Sequence, residues 1–243
     1  GRFTTEHEVD TAVDELVRRH ESLRTTFQTV GGEPQQVIHP AQPGNLRVMD
    51  LSRVSADERM EEAYRLARED AITPFDLHTG PLLRITLLVL DAKEHALLVC
   101  MHHSISDGWS QAVLVRELIQ LYEAFRLGRP SPLPELPVQY ADYAVWQRQW
   151  LQGQTLRKQL DWWSQQLAGV PGALDIHTDK PRPAVLSHQG ATVPVSVSPA
   201  LSQSLEKLAR REGVTPFMVW MAAYQALLHR YSGQDDILVG SPI

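Results

Sequence analysis

Residues 97–110 read LLVCMHHSISDGWS, and this stretch organises the interpretation of the whole sequence. The apolar run at 97–101 predicts a buried strand, and the amphipathic pattern at 112–125 predicts a helix. His102 and His103 therefore lie where a strand ends and a loop leads into a helix. Because strand ends on a rigid sheet hold a reacting group in a fixed position, this junction is a candidate functional site.

The two histidines are predicted to have different surroundings. Neighbouring side chains of a strand point to opposite faces, so His102 and His103 are not expected to bind one metal together. One histidine should face a cavity and the other should pack against the protein. A cavity-facing histidine can take or hold a proton near neutral pH. Asp107 could orient an imidazole or pair with a cation across the turn at Gly108, and the alternative is a pair of packed histidines with a turn aspartate.

Composition excludes several classes of protein. The formal net charge of −6 over 243 residues argues against a nucleic-acid-binding surface, which needs a basic face. No apolar run reaches the length of a membrane span. The single cysteine, Cys100, excludes an internal disulfide and fits a reducing cytosol. Neither zinc-ligand spacing nor a glycine-rich phosphate loop is present, so the sequence predicts no metal and no nucleotide.

Periodicity predicts alternating helices and strands. Helices are predicted at 9–20, 55–71, 109–127, 140–167 with a break near Gly153, 199–212 and 216–231. Strands are predicted at 23–27, 35–39, 82–90, 95–101, 191–198 and 236–240. The tryptophans between 140 and 167 are predicted to form core and packing surface, and the alternative is an aromatic-lined wall of a substrate site. The Pro- and Gly-rich stretch at 169–189 marks a change of composition, which is typical of a boundary between two structural units.

Three stretches, taken in order, resemble the motifs of one family. Residues 19–27 read RHESLRTTF, residues 102–108 read HHSISDG, and residues 140–146 read YADYAVW. Together they resemble the arginine, histidine and aromatic motifs of condensation domains of nonribosomal peptide synthetases, which are similar to chloramphenicol acetyltransferase. The resemblance extends over essentially the whole sequence.

The resemblance implies an α/β sandwich fold in which two acetyltransferase-like lobes form a V. Residues 1–168 would form a nearly complete first lobe and residues 169–189 the linker between lobes. Residues 190–243 would only begin the second lobe, so the sequence is expected to be truncated.

The resemblance also assigns roles to the motif residues. His103 would face a tunnel between the lobes as the catalytic group, with His102 as its support and the backbone amide of Gly108 as an oxyanion donor. Asp107 would form a structural salt bridge with Arg19, or less favourably with Arg24. Met101, Trp109 and Ser110 would be neighbours of the tunnel.

The implied activity is peptide-bond formation in the cytoplasm, as part of multimodular biosynthesis of antibiotics and other secondary metabolites. A downstream carrier domain would present an aminoacyl amine, and an upstream carrier domain would present an acyl or peptidyl thioester. Both substrates would be attached to phosphopantetheine on these carriers, so the domain itself would bind no cofactor. An adjacent adenylation domain is a further implied partner. The motif is more similar to those of domains that accept an L-configured donor.

Other functions stay open at this point. A catalytically silent module that recruits carriers or partner enzymes would share the fold, and its mark would be a degraded motif. An acyltransferase with a soluble acceptor would share the site. Epimerisation domains resemble His-His-x-x-x-Asp-x-x-Ser-Trp, but here Ser110 comes one residue early and Gln111 stands in the place of the tryptophan. Heterocyclisation domains have aspartates in place of the histidines, whereas this sequence has both histidines.

Overall fold

The structure, a computed structural model, describes residues 5–181, 183–185 and 190–241. The chain divides into two units, Gly1–Gln152 and Gly153–Ile243, and each is described by itself. The boundary predicted at 169–189 falls inside the second unit and stays a prediction, and part of it (182 and 186–189) lies outside the described residues.

The first unit combines helices with two small sheets. In chain order its elements are α1 (Thr5–Arg19), a 3-10 helix (Glu21–Arg24), β1 (Thr25–Val30), β2 (Glu33–Ile38), β3 (Leu46–Asp50), α2 (Ala56–Ile72), β4 (Leu83–Val89), β5 (His95–Met101), α3 (Gly108–Arg126) and α4 (Tyr140–Trp150). The predicted α/β class is confirmed.

Strands β3, β4 and β5 form the sheet that carries the histidine motif. β4 pairs antiparallel with β5, with Leu83 opposite Met101, and this confirms the predicted hairpin. β3 was not predicted. It is short and pairs parallel with β4, a strand more than 30 residues later in the chain, so no local turn signals it. His102 N–H donates to Leu82 O at 3.0 Å, and the chain then leaves the sheet at His103.

The central strand β4 has apolar side chains on both faces. Leu83 and Ile85 belong to a cluster with residues of α1 and α3, whereas Leu88 belongs to a second cluster with Ala63 of α2. Because side chains alternate along a strand, the sheet is covered by α1 and α3 on one face and by α2 on the other. The result is a layered α/β arrangement that fixes the end of β5 from both sides.

The first hairpin differs from its prediction at one end. β1 and β2 pair antiparallel around Gly31 and Gly32, whose φ angles of 61° and 87° suit a tight turn. The strand predicted to include Leu23 begins only at Thr25, because the preceding residues form the 3-10 helix. That helix is stabilised by Leu23 N–H donating to His20 O at 3.0 Å and by Thr25 Oγ1 donating to Glu21 O at 2.7 Å.

The second unit is helical where it is described. It contains α5 (Gly153–Gln166), α6 (Pro199–Glu212) and α7 (Pro216–Ser232), and the predicted break near Gly153 is confirmed. The predicted strands at 191–198 and 236–240 are wrong for this structure: both stretches are extended or irregular. A strand needs a hydrogen-bonded neighbour, and the described residues of this unit contain no strand that could pair with either stretch.

The tryptophans of α4 and α5 are not core residues. Trp146 and Trp150 are about half exposed and stack with ring centroids 5.6 Å apart, while Trp162 and Trp163 meet edge to face at 4.7 Å. The core part of the prediction is therefore wrong, whereas the packing of these rings against each other agrees with the predicted packing surface. None of the helices in the described ranges has the length and apolar character needed to cross a membrane.

Candidate functional site

His102 and His103 lie directly after β5 and have different surroundings. His102 is half-buried, and its ring meets Phe75 edge-on with centroids 6.0 Å apart. Its Nδ1 lies 2.8 Å from Ser104 Oγ. His103 is exposed and lines a cavity. The structure thus places one imidazole in packing and the other beside open space.

Phe75 is itself held by Arg84, whose guanidinium lies 3.7 Å from the centre of the ring. Arg84 also donates to the carboxylate of Asp70 and to its carbonyl oxygen, both at 2.7 Å. These contacts connect the end of α2 to the ring that packs on His102. Sequence analysis missed Phe75 and Arg84, because a contact between a loop residue and a strand residue leaves no periodic signal.

The cavity at His103 has a volume of about 140 Å³, and seven of its eight lining residues carry a polar group in the side chain. Its lining residues are Ser22, His103, Ser104, Ile105, Ser106, Asp107, Ser110 and Tyr140. Ser22 comes from the 3-10 helix and Tyr140 from the start of α4, so all three sequence motifs meet here. Neither residue was predicted individually, although each lies inside a motif stretch.

Asp107 is the N-cap of α3. Its carboxylate accepts hydrogen bonds from the backbone N–H of Ser110 at 2.8 Å and from the Ser110 hydroxyl at 2.6 Å. These hydrogen bonds hold the pKa of Asp107 below its ordinary value, with smaller contributions from the backbone N–H of Trp109 and the charge of His103. Asp107 is therefore ionised at neutral pH and is used to start the helix.

The predicted salt bridge between Arg19 and Asp107 is not formed. Arg19, only 2% exposed, donates from Nε to Glu117 at 3.3 Å and from Nη1 to Pro134 O at 2.8 Å. Arg24 instead contacts Glu21, 3.3 Å away, and His39 O. Within the described ranges neither arginine pairs with Asp107. The reason is geometric: Asp107 turns toward the first turn of α3, whereas Glu117, further along α3, faces α1.

Glu117 was not predicted, yet it is the acidic centre of a buried network. Its carboxylate accepts from Arg19 and lies 2.8 Å from His20 Nε2. Burial by itself would raise the pKa of Glu117, but the hydrogen bonds and charges of His20 and Arg19 outweigh it, and the pKa is lowered. Glu117 therefore stays charged in the interior and ties α3 to the end of α1.

Gly108 is the first residue of α3. The first N–H groups of a helix have no partner within the helix, and the helix dipole favours negative charge near them. Gly108 is exposed, but it is not among the lining residues of the His103 cavity, and it lines a separate depression along α3 together with Gln111 and Val115. Of the other motif neighbours, Ser110 lines the His103 cavity, while Met101 and Trp109 line a second cavity next to it, to which Ser110 also contributes.

No group of three or more His, Cys, Asp or Glu residues is arranged to hold a metal within residues 5–181, 183–185 and 190–241. The groups at the site include the His103 imidazole, serine hydroxyl groups and the backbone amides at the start of α3.

We expect Asp107 to contribute to stability mainly as a helix cap. Asp107→Ala should lower the free energy of unfolding by about 1 kcal/mol, the usual cost of losing an N-cap side chain. Asp107→Asn should change it by a few tenths of a kcal/mol, because Asn caps equally well. Urea unfolding of the two variants measures both values. A much larger loss for Asp107→Asn would mean that the carboxylate has a charged partner and would contradict the capping role.

Comparisons with known proteins agree on one family. The sequence model described as Condensation domain matches residues 2–243. A linear gramicidin synthase chain of Brevibacillus parabrevis is 53% identical over 228 residues, which are 94% of this chain and 4% of that protein. Phosphinothricin tripeptide synthetase PhsC of Streptomyces viridochromogenes is 42% identical over 243 residues, 100% of this chain and 22% of that protein. The chain thus spans a small part of the curated relatives it matches.

Solved structures give the same fold. The X-domain from teicoplanin biosynthesis superposes with a TM-score of 0.83 at 30% identity, and the match covers 95% of this chain and 50% of that one. The same domain is also known in a complex with OxyB, with a TM-score of 0.83 over 96% of this chain. SgcC5 from Streptomyces globisporus matches with a TM-score of 0.72 at 33% identity, covering 94% of this chain and 51% of that one.

Proposed function

This chain belongs to the condensation-domain family, and on that premise we propose that it takes part in peptide-bond formation in nonribosomal peptide synthesis. The observation that carries the proposal is the exposed His103 in a polar cavity beside the N-terminus of α3, within a complete His-His-x-x-x-Asp-Gly motif. A site of this kind offers a proton acceptor and a region that favours negative charge.

The proposed reaction is aminolysis of a thioester. The amine nitrogen attacks the thioester carbonyl carbon, the new C–N bond forms, the C–S bond breaks, and the sulfur leaves as a thiol after taking up a proton. His103 contacts the attacking amine, orients it and accepts the proton that the amine loses. A free α-amino group has a pKa of about 7.7–8.0, so part of it is neutral at physiological pH, and orientation supplies much of the rate.

Negative charge develops on the carbonyl oxygen during the attack. The backbone N–H of Gly108, at the start of α3, is proposed to donate to this oxygen, a role worth about 10²–10³ in rate for one donor. Asp107 does not touch the substrate in this proposal. Its bonds to Ser110 keep the helix N-terminus in place.

The partners follow from the same proposal. An upstream carrier domain presents the acyl or peptidyl donor and a downstream carrier domain presents the aminoacyl acceptor, each on a phosphopantetheine thiol. An adenylation domain loads the acceptor carrier, and the reaction takes place in the cytoplasm. Residues 1–168 are proposed as the first lobe, 169–189 as the linker and 190–243 as the start of the second lobe.

The test is a single-turnover transfer in the intact natural protein. One carrier domain is loaded with a labelled acyl group and the other with an aminoacyl group, and intact-protein mass follows both. We expect the mass of the acyl group to move from the donor carrier to the acceptor carrier. Omitting the aminoacyl group from the acceptor is the control and should abolish transfer. A folded protein that transfers nothing with several donor–acceptor pairs would contradict the proposal.

A second candidate is a silent module that recruits a partner enzyme. It is favoured by the likeness to the X-domain, which has been observed in a complex with OxyB. The complete motif of this chain favours catalysis instead. Lack of transfer together with tight binding of carrier domains in a pull-down would support the recruiting function.

A third candidate, an acyltransferase with a soluble acceptor, differs from the main proposal only in its acceptor. If a free amino acid accepts the acyl group as fast as the carrier-bound one, this candidate replaces the main proposal.

A further inference from the structure

The turn that follows β5 sets the direction of His103. Ile105 N–H donates to His102 O at 3.1 Å, so residues 102–105 form a hydrogen-bonded turn with His103 as its second residue. Inside this turn Ser104 N–H donates to Nδ1 of the His102 ring at 3.1 Å, and the Ser104 hydroxyl lies 2.8 Å from the same nitrogen. The His102 imidazole thus closes the turn from the side, and the direction of His103 depends on it.

These contacts fix which nitrogen of His102 carries a proton. A backbone N–H can only donate, so Nδ1 accepts with its lone pair and the ring proton lies on Nε2. This arrangement holds for one ring orientation only, because a half-turn of the imidazole exchanges Nδ1 with a carbon and breaks both contacts to Ser104. The turn therefore keeps its shape only while the His102 ring is prevented from rotating.

Phe75 supplies the surface that opposes this rotation. Its ring is nearly perpendicular to the His102 ring, at 83°, and the two centroids lie 6.0 Å apart. Phe75 lies in the loop between α2 and β4, and its side chain packs partly against the cluster that α1, α3 and β4 form. A loop residue needs further contacts to keep its ring in one place.

Arg84 provides those contacts. Its guanidinium lies 3.7 Å from the centre of the Phe75 ring, as in a cation–π contact. Arg84 is anchored on β4, and it donates to the carboxylate of Asp70 at 2.7 Å, to Asp70 O at 2.7 Å and to Thr73 O at 3.0 Å. A continuous series of contacts therefore runs from the end of α2 through Arg84 and Phe75 to the His102 ring.

We propose that Phe75, held by Arg84, is a positioning residue for acyl transfer: it keeps the His102 ring in the orientation that closes the turn, and the turn directs His103 toward the reacting amine. The inference rests on the proposed function. Phe75 acts through His102 and is not among the residues that line the His103 cavity. A displacement of about 1 Å at a reacting group can cost about 10²-fold in rate, so loss of the ring should be visible in the rate itself.

Phe75→Leu tests the proposal, because leucine keeps the apolar character and removes the ring. In the single-turnover transfer of the intact natural protein, we expect the rate constant to fall about 10-fold. Phe75→Tyr keeps an aromatic ring and should transfer at close to the wild-type rate. Phe27→Leu is the matched control: Phe27 is half-buried against the same cluster but makes no ring contact with His102 in the described part of the chain, so the wild-type rate should be retained.

The measurement separates positioning from a general loss of structure. Unfolded protein lowers the amplitude of a single turnover, whereas a misplaced His103 lowers its rate constant. In a His102→Ala background, Phe75→Leu should have no further effect on the rate constant, because Phe75 acts through the His102 ring. Effects that do not add are the mark of residues that act together.

The outcomes separate this inference from the function on which it rests. An unchanged rate constant for Phe75→Leu would overturn the inference while the proposed function stands. Equal losses in Phe75→Leu and Phe27→Leu, an equal loss in Phe75→Tyr, or a full additional loss in the His102→Ala background would also overturn it. Absence of transfer by wild type would count against the proposed function itself.

Discussion

His103→Ala should lower the rate of acyl transfer between loaded carriers by about 10²–10⁴-fold, the usual contribution of a positioned acid–base group. The side chain is exposed at the end of β5 and lines the polar cavity, so its loss removes a contact to the reacting amine. Little stability should be lost, because an exposed side chain buries little apolar surface. The rate is measured by single-turnover mass transfer, and stability by thermal unfolding.

His95→Ala is the matched control for this result. His95 opens the same strand, β5, at the end away from the cavity, and it is only partly buried. It should retain the wild-type transfer rate. Unchanged transfer by His103→Ala would show that His103 is not the group that contacts the amine. Equal losses in both variants would show that the effect comes from the sheet rather than from the site.

The second large effect is expected at the buried pair of Arg19 and Glu117. Arg19→Met should lower the free energy of unfolding by about 3–5 kcal/mol, because it removes one of the two cationic or hydrogen-bonding partners that the described residues give the buried Glu117 carboxylate, leaving His20. Arg19→Met combined with Glu117→Leu should recover much of this loss, since no uncompensated charge remains. Urea unfolding at neutral pH measures the free energy of unfolding of wild type, of Arg19→Met and of the double variant.

A substitution of Asp107 is the control that tests which acid pairs with Arg19. The changes in the free energy of unfolding caused by Arg19→Met and by Asp107→Asn should add within about 0.5 kcal/mol in the double variant, as expected for residues that do not interact. A strong coupling between Arg19 and Asp107, with none between Arg19 and Glu117, would contradict the pair seen in the structure. It would support the Arg19–Asp107 salt bridge that the family resemblance implies.

The same pair should also make stability depend on pH. The folded pKa of Glu117 lies below its ordinary value of 4.5, so the stabilisation from this carboxylate is complete above that value. It is lost as pH falls through the lower, folded pKa. The stability difference between wild type and Arg19→Met should therefore shrink in acid, because Glu117 becomes neutral in both proteins. A difference that stays constant across this range would contradict the charged pair.

The sequence pattern was sufficient to predict the structure wherever residues that are close in the sequence are also close in space. The hairpin of β4 and β5, helix α3 and the junction that carries His102 and His103 were all readable, because side-chain periodicity and turn residues act within a few positions. The family itself was also evident from three motifs in a fixed order. Pattern misled in the second unit, where apolar alternation at 191–198 predicted a strand that has no neighbour to pair with among the described residues.

The sequence by itself therefore determined the fold class, the place of the histidine motif at a strand end and the different surroundings of the two histidines. Only the tertiary structure decided which acid pairs with Arg19, which ring packs on His102 and which side chains close the cavities. Glu117 and Asp107 are both acids on or before α3, and their spacing from Arg19 in the chain does not distinguish them. The choice between them depends on which side of the helix faces α1, and that orientation arises from packing of the whole core.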